Sequence, residues 1–367
     1  MDFLYVSRRN VDFEYNKPLL ENSNCVVLNI GSDDLSKRVF NKNVYILPKS
    51  IKLLQSCVRI LKRLSKFKLS SSFFIYFEEA IYKKIGSHIL SLTKINNCDR
   101  VVFDHNSSRQ YQIFFTLLKS EKLMLYSIPH AENVFSNMLL DNHNIHTIKP
   151  DQYGVLDRVI VTSEAQRKSV VGNTTLLKSI RYSEYWTRKQ VSNLPVLKEK
   201  REITVLVLQS LSVGGVCNIQ FHRTLKFLNT LGIQVIIRPH PTKGIKEIRD
   251  IKSLKHVSLS NSSLTCDILN ASIVVHFQSS GFLDAVNLKK KIIFAQFASS
   301  NTLHTDYLKG VIICHNFDEF RETLLRFLGE PILTSHAPLR NQADIEKDFF
   351  VNLKTWHQAL DIKCLSK

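Results

Sequence analysis

Short apolar runs rich in Val and Ile recur along the chain, separated by longer segments with helical spacing. Most of these runs lack strict apolar–polar alternation, which is the pattern of strands buried on both faces. The predicted strands in the first half are Phe3–Val6, Cys25–Ile30, Val44–Leu47, Arg100–Asp104, Leu123–Ile128 and Arg158–Thr162. In the second half they are Ile203–Leu208, Gln234–Arg238, Ser272–His276, Lys291–Ala295 and Val311–Cys314. Strands alternating with helices predict parallel α/β sheets.

The length, 367 residues, exceeds one ordinary single-core domain. The stretch Gln190–Arg201 contains Pro195, two Lys and an Arg, and it precedes a fresh strand. It therefore predicts a first domain over 1–190 and a second over 201–335. The remainder, 336–367, includes a helical tail at Asn341–Leu365 that would pack back. Two doubly wound domains facing each other would leave a cleft, with ligands at the carboxyl ends of the strands.

Composition bounds the function. Apolar residues make up 44% and charged residues 22%, which excludes a disordered or fibrous chain. The seven cysteines form no CxxC pair, so a zinc site built from local Cys pairs is not expected and reduced thiols fit a cytoplasmic protein. The opening residues lack the apolar core of a signal peptide. The charge-free stretch Ile203–Phe221 carries Gln, Ser, Gly and Asn, and reads as strand, loop and helix start rather than a membrane span. The formal net charge of +18 calls for an anionic partner.

Candidate chemistry lies just after the predicted strands of the second half. Gln234–Arg238 runs into Pro239-His240-Pro241, and Ser272–His276 into Phe277-Gln278-Ser279-Ser280-Gly281. Ile203–Leu208 runs into a loop containing Ser212, Gly214 and Gly215. Together these loops offer a cation, an imidazole, hydroxyls, glycines and helix starts, which is phosphate-binding chemistry. Each piece alone also has a plain structural reading: an N-cap serine, a surface arginine, a rigid Pro-flanked turn.

Arg238-Pro239-His240-Pro241 and Ser279-Ser280 resemble the His-Pro and Ser-Ser motifs of GT-B glycosyltransferases. Leu269-Asn270-Ala271-Ser272 precedes the second motif and Asp284-Ala285 follows it. The groups it resembles are bacterial sialyltransferase-like enzymes, Kdo-type transferases and CDP-glycerol glycerophosphotransferases, which build surface polysaccharides. The resemblance covers about 203–320. It implies two Rossmann-like domains, with His240, Ser279 and Ser280 holding the phosphate of a CMP-, CDP- or UDP-linked donor. Arg238, Ser212, Gly214 and Asp284 complete the expected donor set. The acceptor would be a glycan or lipid-linked glycan, as in capsule or lipopolysaccharide synthesis. No cofactor is expected.

Inverting sugar transfer needs a base at the acceptor hydroxyl and stabilisation of the leaving phosphate. Asp104, His130 and Glu132, after strands of the first half, are the candidates for the base. Helix capping, a satisfied loop residue and a solvated acid are their respective structural readings. The acidic pair followed by Gly that supplies the base in several sialyltransferases is not evident. Glu78-Glu79-Ala80 lacks the Gly and lies in a helical stretch. No Asp-x-Asp string suggests a metal bridging the donor phosphates.

Ile51–Lys68 predicts a basic helix without an acidic residue. Lys52, Arg59, Lys62, Arg63 and Lys66 mostly share one face, and Leu54, Val58, Leu61 and Leu64 lie on another stripe. It fits either an ordinary solvated helix or one lying on an anionic membrane surface, which would make the protein peripheral on the inner face of the cytoplasmic membrane. A polyol-phosphate transferase of the CDP-glycerol type is the alternative activity. A non-enzymatic nucleic-acid binder is a weaker one, because basic residues are scattered over both halves and no nucleic-acid motif appears. A nonhydrolysing sugar-nucleotide epimerase shares the two-domain plan.

Overall fold

The computed structural model describes residues 1–7, 10–31, 43–64, 71–104, 109–128, 155–169, 173–192, 194, 203–210, 215–240, 248, 253–303, 307–330 and 341–362. His130, Glu132, Ser212, Gly214, Lys66 and Lys68 lie outside them. The chain forms two compact units. Among the described residues, the first holds those up to Arg181 and those from Val351 onward. The second holds Tyr182–Phe350.

The first unit contains β1 (Phe3–Ser7), α1 (Asn10–Glu21), β2 (Cys25–Asn29), β3 (Val44–Ile46), α2 (Lys49–Leu64) and α3 (Ser71–Ile95). It continues with β4 (Arg100–Phe103), α4 (Arg109–Ser120), β5 (Met124–Ser127), β6 (Arg158–Val161), α5 (Glu164–Ser169) and β7 (Thr174–Leu176). The seven strands run in the order β3-β2-β1-β4-β5-β6-β7, with every pairing parallel. The order reverses between β1 and β4, which makes their carboxyl ends the switch point of the sheet.

The second unit contains α6 (Glu184–Ser192), β8 (Thr204–Leu208), α7 (Asn218–Thr230), β9 (Gln234–Arg238), β10 (Val257–Leu259) and α8 (Leu264–Asn270). It continues with β11 (Ile273–His276), α9 (Phe282–Asn287), β12 (Lys291–Ala295), a 3-10 turn at Gln296–Ala298, β13 (Ile312–Cys314) and α10 (Phe317–Gly329). Its sheet, also parallel, runs β10-β9-β8-β11-β12-β13. The switch point falls between β8 and β11.

The missing alternation in the strand sequences has a direct cause. Val205 and Val207 pack into one core with Val235, Ile237, Val275 and Ile293. Leu206 and Leu208, between and beside them, pack into another with Val274, Ile292 and Phe294. Both faces of the sheet are covered, so β8 is apolar at every position from Val205 to Leu208.

The last helix, α11 (Gln342–Ala359), continues into the described residues up to Ile362. From Val351 onward this segment belongs to the first unit. Trp356 is buried there and donates its indole N–H to the Lys178 carbonyl at 2.9 Å. Tyr126 donates its hydroxyl to Asp361 Oδ2 at 2.5 Å, and Arg158 Nη1 reaches the Ala359 carbonyl at 2.6 Å. His357 and Ser23 share a buried hydrogen bond of 3.0 Å.

Candidate functional site

Among the described residues, Arg238 ends a strand at the carboxyl rim of the second sheet, and His240, Ser279 and Ser280 follow strand ends there. Leu208 pairs with Arg238 on one side and with His276 on the other. The chain therefore leaves all three central strands at one level. Gln209 follows β8, His240 follows β9, and Ser279-Ser280 follow β11, so His240 and the serines come after the two strands that flank β8. Gln209 is buried. Its amide N–H donates to the Arg238 carbonyl at 3.1 Å, and its Oε1 accepts the His240 amide at 3.4 Å. These bonds hold Pro239-His240 beside β8.

The Ser-Ser loop is fixed from several sides. Gln278 has φ of 62°, a left-handed conformation that is uncommon outside Gly, and its side chain is built into a polar cluster. It bonds Ser299 Oγ and accepts from Asn301 Nδ2 at 3.1 Å. Gly281 follows the serines because space is short: a Cβ there would lie 3.2 Å from Leu264 Cδ2 on α8. The loop after β8 re-enters at Gly215, φ 94°, where a Cβ would collide with Ser300 Oγ. Val216 then bridges Ser299 in antiparallel fashion, and Cys217 N–H donates to the Ala298 carbonyl at 2.8 Å.

The helix after the serines is tied down along one face. Asp284 and Asn287 lie three apart on α9, and Ser280 lies just before it. Tyr182 donates its hydroxyl to Ser280 Oγ at 3.3 Å. Thr187 on α6 donates to the buried Asp284 carboxylate at 3.2 Å. Asn287 Nδ2 reaches the Tyr182 carbonyl at 2.9 Å and Thr187 Oγ1 at 3.0 Å. Asp284 thus has a partner within the fold that positions the serines.

Arg238 is similarly engaged. Its Nη1 lies 2.8 Å from Asp267 Oδ2 and 2.8 Å from the Ser262 carbonyl. Asp267 is buried and also accepts from Ser260 at 2.6 Å. A buried carboxylate needs such partners to offset its lost hydration. The guanidinium thereby anchors β9 to α8 beside the rim.

His276, at the end of β11, was not singled out by motif. Its ring is fully buried and stacked between Phe282 at 4.4 Å and Phe294 at 4.8 Å. Neither ring nitrogen has a hydrogen-bond partner, and burial pushes its pKa down to about 3. It is a neutral spacer beneath the Ser-Ser loop.

In the first unit, Asp104 follows β4 at the switch point and is fully buried, its amide donating to the Val6 carbonyl at 3.3 Å. Ser7 and Asn29, paired at the ends of β1 and β2, are buried polar residues of the same rim.

The sequence matches no protein-family model and no curated protein. Solved structures do match over nearly the whole chain. UDP-GlcNAc 2-epimerase from Methanocaldococcus jannaschii is 11% identical with a TM-score of 0.57, over 97% of this chain and 100% of that one. UDP-GlcNAc 2-epimerase from Neisseria meningitidis, bound to UDP-GlcNAc, is 11% identical with a TM-score of 0.57, over 98% and 100%. An alpha,alpha-trehalose-phosphate synthase (UDP-forming) from Burkholderia vietnamiensis is 10% identical with a TM-score of 0.58, over 98% and 100%. The chain has the α/β GT-B fold. At these identities the likeness establishes architecture and leaves activity to the site.

Proposed function

We propose that this chain is a glycosyltransferase that moves a sugar from a nucleotide-activated donor to a cell-surface polysaccharide or lipopolysaccharide acceptor. The supporting observation is the strand order, which puts β9, followed by His240, and β11, followed by Ser279-Ser280, on either side of β8 at the centre of the second sheet. There the imidazole and the two hydroxyls hold the donor phosphate. They offset the charge that builds on it as the glycosidic bond breaks. The base that takes the acceptor proton is drawn from Asp104, His130 or Glu132, and the reaction inverts without a bridging metal. Fold neighbours that bind UDP-GlcNAc or are UDP-forming make uridine donors the first to try.

A thermal-shift screen over CMP, CDP, UDP, GDP and their sugar conjugates tests the reading. A ligand at a hundred times its Kd stabilises the folded state by ~2.7 kcal/mol. One nucleotide class is expected to raise the melting temperature of the wild type, and His240→Ala is expected to abolish the shift while melting normally by itself. No response to any nucleotide would sink the proposal. The epimerase fold neighbours supply the second reading, distinguished by conversion of a sugar nucleotide in the absence of any acceptor. A response to CDP-glycerol alone would move the site to polyol-phosphate transfer.

A further inference from the structure

The helix α2 has more apolar surface than its unit covers. Ile51 and Val58 are buried, and they dock the helix onto the first unit. The stripe they belong to, with Leu54, meets the demand of the core. Leu53 and Ile60 lie on a different line of the helix, and they remain 66% and 54% exposed. Cys57, exposed, lies between them, so 53, 57 and 60 form a ridge at spacings of four and three. The adjoining helix α3, which packs against α2, adds two aromatics in its first two turns: Tyr76, 73% exposed, and Phe77.

The ridge has a basic flank. α2 carries Lys49, Lys52, Arg59, Lys62 and Arg63 and no acidic residue. By helical periodicity Lys49, Lys52, Arg59 and Arg63 fall on the side of the helix next to Leu53 and Ile60. On α2 every charged neighbour of this exposed apolar ridge is a cation, which is the arrangement of a helix that lies in a membrane interface, while Glu78 and Glu79 follow the aromatics on α3. The apolar side chains enter the acyl boundary while the cations meet anionic headgroups, and exposed aromatics suit the same depth. Five cations in sixteen residues exclude α2 itself as a span.

We infer that α2, with the start of α3, docks the first unit onto an anionic lipid surface through Leu53, Ile60 and the neighbouring basic residues. This inference rests on the surface of the first unit and does not depend on the activity proposed for the second.

Co-sedimentation of the full chain with vesicles tests it. Wild type is expected to pellet with phosphatidylcholine vesicles containing phosphatidylglycerol, and to remain soluble with pure phosphatidylcholine. Leu53→Ser with Ile60→Ser should lower the partition coefficient at least about tenfold. Lys49→Glu with Lys52→Glu should weaken binding and flatten its dependence on salt. Leu53, Ile60 and Lys49 are exposed and Lys52 is half-buried, and the melting temperatures of both variants should match wild type. Failure of the wild type to bind anionic vesicles would overturn the inference, as would equal binding to neutral ones. Unchanged pelleting of the serine variant would also overturn it. So would vesicle-independent self-association that the serine substitutions abolish, because the ridge would then belong to a second copy of the chain.

Discussion

His276 shows what a buried base does to acid stability. In the native state it stays neutral down to about pH 3, whereas in the unfolded chain it protonates near its ordinary value of 6.5. Between those limits the unfolded state binds the extra proton, so stability is complete above pH 6.5 and falls as the pH drops toward 3. The loss amounts to ~2 kcal/mol at pH 5. His357 and His88, also pushed down by burial, act in the same direction. In urea melts, His276→Phe should keep the stack with Phe282 and Phe294 and lose much less stability between pH 7.5 and pH 5 than wild type. Equal pH dependence in the two proteins would remove His276 as the cause. A second residue-scale expectation concerns Tyr182, which holds the Ser280 hydroxyl. A hydrogen bond worth ~0.5–1.5 kcal/mol implies that Tyr182→Phe weakens nucleotide binding about two- to tenfold. Titration calorimetry beside Ser280→Ala checks it, and undiminished affinity would leave Tyr182 with a packing role alone. The positions of His240 and Ser279-Ser280 just after β9 and β11 were legible because apolar runs mark both strands. Tyr182 and Asp267 were not, since each acquires its meaning from a partner far away in sequence, and no local pattern encodes that meeting.

At the scale of elements, the face of α9 depends on Thr187. Asp284 is buried, and removing a hydroxyl that donates to it leaves part of a carboxylate without compensation. Thr187→Val should therefore cost ~1–3 kcal/mol in urea unfolding despite preserving shape. A change within a few tenths of a kcal/mol would show that other groups satisfy Asp284. The elements themselves were legible to different degrees. All eleven predicted strands are present, and the central ones were the plainest, because strands covered on both faces are largely apolar along their length. The structure adds the three-residue edge strands β7, Thr174–Leu176, and β10, Val257–Leu259. Each is half-exposed and polar in part, so its sequence lacks the apolar run that marked the central strands. In α2 the periodicity reading named the stripe of Leu54 and Val58. The exposure of Leu53 and Ile60 emerged only once the unit had formed around the helix.

For the whole molecule, the first unit is completed by residues that follow the second. Leu353, Trp356, Leu360 and Ile362 are buried in it, and Trp356, Ala359 and Asp361 bond to Lys178, Arg158 and Tyr126. A chain ended at Phe350 should lose the stability of the first unit, since deleting a single buried Trp already costs ~3–5 kcal/mol. Limited proteolysis should then cut within residues 1–181 well before Tyr182–Phe350. Comparable resistance of the two regions would show that the late segment adds little. The sequence suggested a helical tail, but not which core it enters, because an amphipathic helix specifies a face to bury and not an address. Its placement bears on synthesis. A ribosome delivers amino ends first, and domains ordinarily fold in that order. Here the unit that emerges first stays incomplete until the last helix has left the exit tunnel, so the unit made second can reach its final core first.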